Sequence, residues 1–277
     1  MQLKSRGKIL DLTTPQVMGI LNVTPDSFSD GGKFSNIEHA LKQALTMLDQ
    51  GATIIDIGGE STRPGASDIV LQEELDRVIP VIEKISQHSD CWLSIDTSKA
   101  MVMSEAVKAG AHIINDVRAL QERGALQAAV EADVPVCLMH MQGEPRSMQV
   151  APEYDDLLTE VETFLQQRAQ ICIDSGIQKE NIILDLGFGF GKQLKHNFQL
   201  LSATQKFVAL GYPLLTGLSR KSMFGQLLQR DVNDRLAGSL AGAMIAVQQG
   251  SQILRVHDVA ETVDMIKVLQ EVKRYSC

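Results

Sequence analysis

Short apolar runs recur along this chain. Each ends on a polar or charged residue and is followed by a glycine- or proline-marked loop and then an amphipathic stripe. Ile182-Ile183-Leu184 delivers Asp185, and Gly187-Phe188-Gly189-Phe190-Gly191-Lys192 follows almost at once. A short apolar run bounded by turn residues predicts a buried strand, and apolar residues at three- and four-residue spacing predict a helix. The same unit begins with Val17-Met18-Gly19-Ile20-Leu21 ending at Asn22, and then with Ile54-Ile55-Asp56-Ile57 before a Gly-Gly loop. Trp92-Leu93-Ser94-Ile95 ends in Asp96, His112-Ile113-Ile114 in Asn115-Asp116, and residues 134–139 in His140. A seventh strand is predicted at 212–217, ahead of Leu218-Ser219-Arg220-Lys221-Ser222, and an eighth at 251–254, ahead of Arg255-Val256-His257.

Helical stripes fall between the runs, at 41–48, 71–85, 98–109, 124–132, 157–171, 197–210, 236–249 and 259–275. Pro80 sits inside the second stripe, where it should kink or split the helix. Residues 3–10 alternate around a glycine and predict a small hairpin ahead of the first unit.

Eight strand-plus-helix units with no linker between them predict an α/β chain forming a single (β/α)8 TIM-barrel domain over residues 1–277. An open doubly wound sheet is the alternative, but it would leave two exposed edges.

In such a barrel every strand ends on one face. Asn22, Thr62 with Arg63, Asp96, Asn115, Asp185, Ser219 with Arg220 and Lys221, and Arg255 with His257 then share one rim. Asp96, Asn115 and Asp185 offer acceptors and an amide, suited to a flat heterocycle rich in N–H donors. Arg63, Arg255 and His257 suit an anion such as a phosphate ester. Asn22 offers an oxygen that also suits Mg2+, an ion that prefers phosphate oxygens. Phe28, Pro64, Met139 and Phe190 supply an apolar layer for an aromatic ring.

Other residues read as ordinary structure. Asp56 lies inside a strand and reads as an internal carboxylate, and Asp116 as bonding its own loop. His39, His112 and His140 read as unremarkable histidines. Residues 187–192 fit neither the Gly-x-x-x-x-Gly-Lys-Ser/Thr nor the Gly-x-Gly-x-x-Gly template, and read as a mobile cover over the ring.

Composition narrows the function classes. Of 277 residues, 44% are hydrophobic and 22% charged, as in globular proteins. The net charge of −8 argues against a nucleic acid or anionic membrane partner, and 4% aromatic residues argue against a base-stacking surface. Cys91, Cys137, Cys172 and Cys277 form no Cys-x-x-Cys pair, so a reducing, cytoplasmic compartment is expected.

Two long segments carry a resemblance to a known family. Asn22-Val23-Thr24-Pro25-Asp26-Ser27-Phe28-Ser29-Asp30-Gly31-Gly32 and Asp56-Ile57-Gly58-Gly59-Glu60-Ser61-Thr62-Arg63-Pro64-Gly65 resemble the signature segments of bacterial, monofunctional dihydropteroate synthases. Asp96-Thr97, Asn115-Asp116, residues 185–192, Ser219-Arg220-Lys221 and Arg255-Val256-His257 match in the same order. The resemblance implies condensation of 6-hydroxymethyl-7,8-dihydropterin diphosphate with 4-aminobenzoate in folate synthesis. It also implies Mg2+, sulfonamide binding and a homodimer.

By resemblance, Thr62, Asp96, Asn115, Asp185, Lys221, Arg255, Val256 and His257 hold the pterin diphosphate, and Asn22 stands on the metal side. Phe28, Thr62, Pro64, Phe190, Ser219, Lys221 and Ser222 shape the aminobenzoate pocket. Asp96, Asp185, Lys221, Arg63, Arg255 and His257 carry the chemistry, with an SN1-like order in which loops 22–32 and 59–67 close before the amine attacks. Two other readings of the residues stand beside this one: a class I aldolase with Lys221 as a Schiff-base lysine, and a methyl-transferring pterin barrel.

Overall fold

The ten strands among the described residues begin with β1 (Gln2–Ser5) and β2 (Lys8–Asp11), the antiparallel hairpin expected at the N-terminus. The remaining eight are β3 (Gln16–Asn22), β4 (Ile54–Gly58), β5 (Trp92–Asp96), β6 (Ile113–Asp116), β7 (Val136–Met139), β8 (Ile182–Asp185), β9 (Leu214–Thr216) and β10 (Ile253–Val256). They pair in parallel in sequence order, and β10 pairs with both β9 and β3, so the sheet closes into a barrel. Closure leaves no sheet edge, and the doubly wound alternative is thereby excluded. The computed structural model describes residues 1–24, 33–60, 69–143, 148 and 152–275, with the backbone alone at 33–35.

Ten α-helices lie among the described residues: α1 (Lys33–Asp49), α2 (Leu71–His88), α3 (Ala100–Ala109), α4 (Ala125–Ala132), α5 (Leu157–Asp174), α6 (Leu194–Ser202), α7 (Thr204–Val208), α8 (Ser222–Leu228), α9 (Leu236–Gln248) and α10 (Val259–Arg274). Pro80 does not split α2, which runs unbroken from Leu71 to His88. Val78, Val81, Ile82 and Ile85 are buried along one stripe of that helix. At about 1.5 kcal/mol or more each, their burial outweighs the roughly 3 kcal/mol an interior proline costs. The stripe expected at 197–210 forms two helices separated at Ala203, and α8 was not anticipated by any apolar run. No described helix is long and apolar enough to cross a membrane.

Alternation along the strands sorts the core into two shells. Ile55, Ile57, Leu93, Ile95, Ile114, Leu138, Ile182, Leu184, Leu214 and Leu254 point outward and pack under the helices. Met18, Ile54, Trp92, Ile113, Cys137, Ile183, Leu215 and Ile253 point inward at the start of their strands, where Leu3, Leu10 and Leu12 close the barrel's lower end. The inward positions two residues further on include Asp56, Ser94, Asn115, Asp185 and Arg255. Sequence order therefore becomes vertical position, and the polar residues collect above an apolar floor.

Candidate active site

Arg255 is the centre of the rim. It follows Ile253 by two on β10, so it faces into the barrel, and its guanidinium is gripped by two carboxylates. Nε meets Asp56 Oδ2 and Nη2 meets Asp96 Oδ2, both at 2.6 Å. Burial works against a charged guanidinium, but Asp56 and Asp96 more than offset it, and Arg255 is held above its ordinary pKa. Asn115 Nδ2 also donates to Asp56 Oδ2, at 3.3 Å. Residues from β4, β5, β6 and β10 thus form one hydrogen-bonded cluster. The structure places Arg255 beside the acids, because its strand position aims it inward.

Asp56, read from the sequence as an internal carboxylate, is a buried partner of Arg255. It is fully buried, and its second oxygen, Oδ1, has no partner among the described residues. Its position two residues after the inward Ile54 was the signal that would have placed it in the barrel. Asp116 does bond its own loop, taking Ser98 Oγ at 2.5 Å and the backbone N–H groups of Arg118 and Leu120 at 2.8 Å.

Asp96 and Asp185 stand at the ends of β5 and β8, almost wholly buried. Burial raises Asp96 to about 7; Arg255 opposes the shift, and the like charge of Asp56 adds to it. Burial also raises Asp185, against a 2.8 Å hydrogen bond from the backbone N–H of Gly187 and the attraction of Lys221. Lys221 is half-buried, and desolvation lowers it to about 8 while Asp185 pulls the other way. Its ammonium lies 4.2 Å from the centroid of the Phe190 ring, a cation–π contact. The cleft thus holds polarisable acids and an ammonium, whose charges respond to whatever enters.

The loops after β9 and β10 are tied together. Ser219 Oγ accepts from His257 N at 3.1 Å and lies 3.0 Å from His257 Nδ1. Arg220 sits in the left-handed region (φ 57°) and pairs with Asp258 in the loop after β10. That twist sends the neighbouring Ser219 and Lys221 toward the cleft. His257 lies just beyond β10 and is exposed, Val256 is buried, and Ser222 is exposed at the start of α8. Phe28, Thr62, Arg63 and Pro64 lie outside the described residues, as do most of the two loops expected to close.

The glycine-rich segment after β8 is not a free cover. Phe188 is part of the core, and Lys192 is 3% exposed, its Nζ donating to Gly187 O and Phe190 O at 2.9 Å and to His140 O at 3.2 Å. Gly187 is required there: its φ is +66°, and a Cβ would sit 1.9 Å from His140 O.

Asn22 ends β3, half-buried, with one amide oxygen to offer a metal. Among the described residues no three His, Cys, Asp or Glu side chains come together as a metal cage. A single neutral oxygen fits an ion such as Mg2+, which keeps several waters and takes phosphate oxygens from its substrate.

Residues 18–257 match the family model described as pterin binding enzyme. The chain is 57% identical over 270 residues to the dihydropteroate synthase of Haemophilus influenzae, covering 98% of each. It superimposes with a TM-score of 0.94 on the Yersinia pestis dihydropteroate synthase solved with a sulfonamide drug, at 56% identity over 99% of this chain and 100% of that one. A Xanthomonas albilineans dihydropteroate synthase in complex with 7,8-dihydropteroate gives a TM-score of 0.91 at 46% identity, covering 100% of both chains.

Proposed function

The chain belongs to the dihydropteroate synthase family, and on that premise we propose how its rim performs the family's reaction. The protein condenses 6-hydroxymethyl-7,8-dihydropterin diphosphate with 4-aminobenzoate, giving 7,8-dihydropteroate and diphosphate in folate biosynthesis, and it is a sulfonamide target. Membership in this family removes the Schiff-base and methyl-transfer readings of the same residues. The observation that carries the mechanism is Arg255 held between Asp56 and Asp96 beside Asn115.

The heterocycle lies across this cluster. Asp185 and Asp96 accept from its amino-pyrimidine edge, Asn115 supplies a mixed donor and acceptor, and Lys221 closes the far side. Because both acids are buried, they gain most from an N–H-rich ring that acquires positive charge. As the diphosphate leaves, cationic character spreads into the dihydropterin, and Asp96 and Asp185 stabilise it without moving. Thr62, Arg63, Arg255, Val256 and His257 serve the departing diphosphate. Mg2+, held by Asn22 and the diphosphate itself, would supply further charge neutralisation there when bound.

The arylamine enters against Phe28, Pro64 and Phe190, with Ser219, Lys221 and Ser222 near its carboxylate. It is neutral and weakly basic, so positioning does more for it than a general base would.

The test is diphosphate release measured with and without 4-aminobenzoate, together with positional isotope exchange in the bound diphosphate. Scrambling without the amine is the expected result and supports departure before attack. Its absence, with turnover intact when the amine is present, would favour concerted displacement.

We also propose a homodimer formed through α8, α9 and α10. Leu227, Leu228, Val232, Met244, Ile245, Val268 and Val272 are exposed on or beside these helices, and α9 packs against α10. Exposed apolar side chains on neighbouring helices suit a second copy of the chain. Sedimentation of wild type against Ile245→Glu should read dimer against monomer; two monomers would remove the proposal.

A further inference from the structure

Beneath the rim lies a buried polar group that the mechanism above does not use. Lys192 has no carboxylate in hydrogen-bonding reach among the described residues. Its neighbours are three carbonyl oxygens and His140 Nδ1, 3.0 Å away. These are four acceptors around a group with three N–H bonds, an arrangement that suits an ammonium and a neutral imidazole. Burial and the nearby Lys192 hold His140 neutral, lowered to about 3; burial also lowers Lys192, to about 7, while Asp185 and the four acceptors around it favour its charged form.

Taking an ammonium out of water costs several kcal/mol, so its contacts must accomplish something that an apolar side chain could not. Two of its carbonyl partners are the ends of the Gly187–Phe190 turn, whose Phe190 N–H donates to Gly187 O at 3.0 Å, and the third is His140 O. The same turn sends the Gly187 N–H to Asp185 Oδ1 and sets the Phe190 ring against Lys221. His140 N donates to Asp185 O at 3.0 Å, and the Tyr154 hydroxyl donates to Gly191 O at 2.7 Å. The Tyr154 ring is in edge contact with His196, and His140 with Phe164.

We infer that Lys192 is a positioning residue for the reaction: its ammonium, backed by His140 and Tyr154, clamps the turn that aims Asp185 at the heterocycle and Phe190 at the incoming amine. The inference rests on the residue roles proposed above.

Lys192→Met keeps the length and apolar bulk of the side chain and removes the cation. In the full-length protein, calorimetric binding of 6-hydroxymethylpterin should weaken about tenfold or more, the range for losing charged hydrogen bonds. In an Asp185→Asn background the same substitution should change binding by less than about twofold, because its route runs through Asp185. A general loss of packing would weaken both backgrounds alike. Binding within about twofold of wild type, or equal losses in the two backgrounds, would overturn the inference.

If Lys192→Met does not fold, Tyr154→Phe removes a single half-buried hydroxyl from the same clamp. It should raise the KM for 4-aminobenzoate about threefold to tenfold with an unchanged melting temperature. Unchanged constants would overturn the inference while leaving the synthase reading intact. A wild-type protein that releases no diphosphate with 4-aminobenzoate would overturn both.

Discussion

The two ends of this barrel are made by the same eight strands and do opposite work. At the lower end Ile54, Trp92, Ile113, Ile183 and Ile253 point inward and meet Leu3 and Leu10 of the hairpin, with no charged group among them. Two residues further along, the same strands present Asp56, Asn115, Asp185 and Arg255. Each lower residue gains from leaving water. Each upper one loses its hydration and is tolerable only because a partner, or a substrate, returns part of that loss. A step of two residues along one strand is therefore the distance between stability and chemistry in this fold.

The comparison can be broken at several points. Asp185→Asn should lower kcat/KM by about 10²–10³-fold, the scale for removing one preorganised charge contact, with the circular dichroism spectrum unchanged; turnover near wild type would take Asp185 out of the proposed role. On β4 the two ends can be set against each other directly. Ile54→Ala should lower unfolding stability by about 2–5 kcal/mol while the folded fraction keeps its kcat/KM. Asp56→Asn should lower kcat/KM about 10–100-fold, since Arg255 then keeps one carboxylate instead of two. Denaturant melts and initial rates on both variants would read the partition. If Asp56→Asn changed only stability, the upper layer would be structural at that strand.

A pH experiment probes the lower end. His112 packs against Trp92, and its Nδ1 accepts from Leu93 N. Burial lowers it to about 4, aided by Lys8 and Arg6. Its neutral form contributes stability that is complete above the unfolded value of about 6.5 and is lost as pH falls toward 4. The loss should reach about 3 kcal/mol at pH 4. In His112→Gln, urea midpoints followed from pH 7 to 4 should lack that one-proton dependence.

Much of this was legible in the sequence, and the reasons for the gaps are physical. Strands announced themselves because both faces of a barrel strand are covered, so each reads as an apolar run. Asp96, Asn115 and Asp185 were found because they end such runs. Asp56 was discounted because it interrupts one, although alternation from Ile54 places it on the inner face with the others. Its partner Arg255 comes from the last strand, and no local pattern reports that pairing. Lys192 was read as part of a mobile cover for a related reason: its contacts are backbone carbonyls and a histidine 52 positions earlier, so no side-chain motif marks it. Pro80 was overestimated because helix propensity is local, whereas the stripe burying α2 is set by the barrel.

The grip on Arg255 also has a consequence for how the protein is made. Asp56 and Asp96 leave the ribosome long before the arginine that neutralises them, 199 and 159 positions later. A nascent chain that closed its early strands prematurely would trap two like charges in a dry interior, so these strands gain by remaining unsealed until β10 arrives. The final strand thereby acts as a completion signal: translation products truncated before it should stay loosely packed and open to proteases, and the cell would be spared a compact but useless barrel.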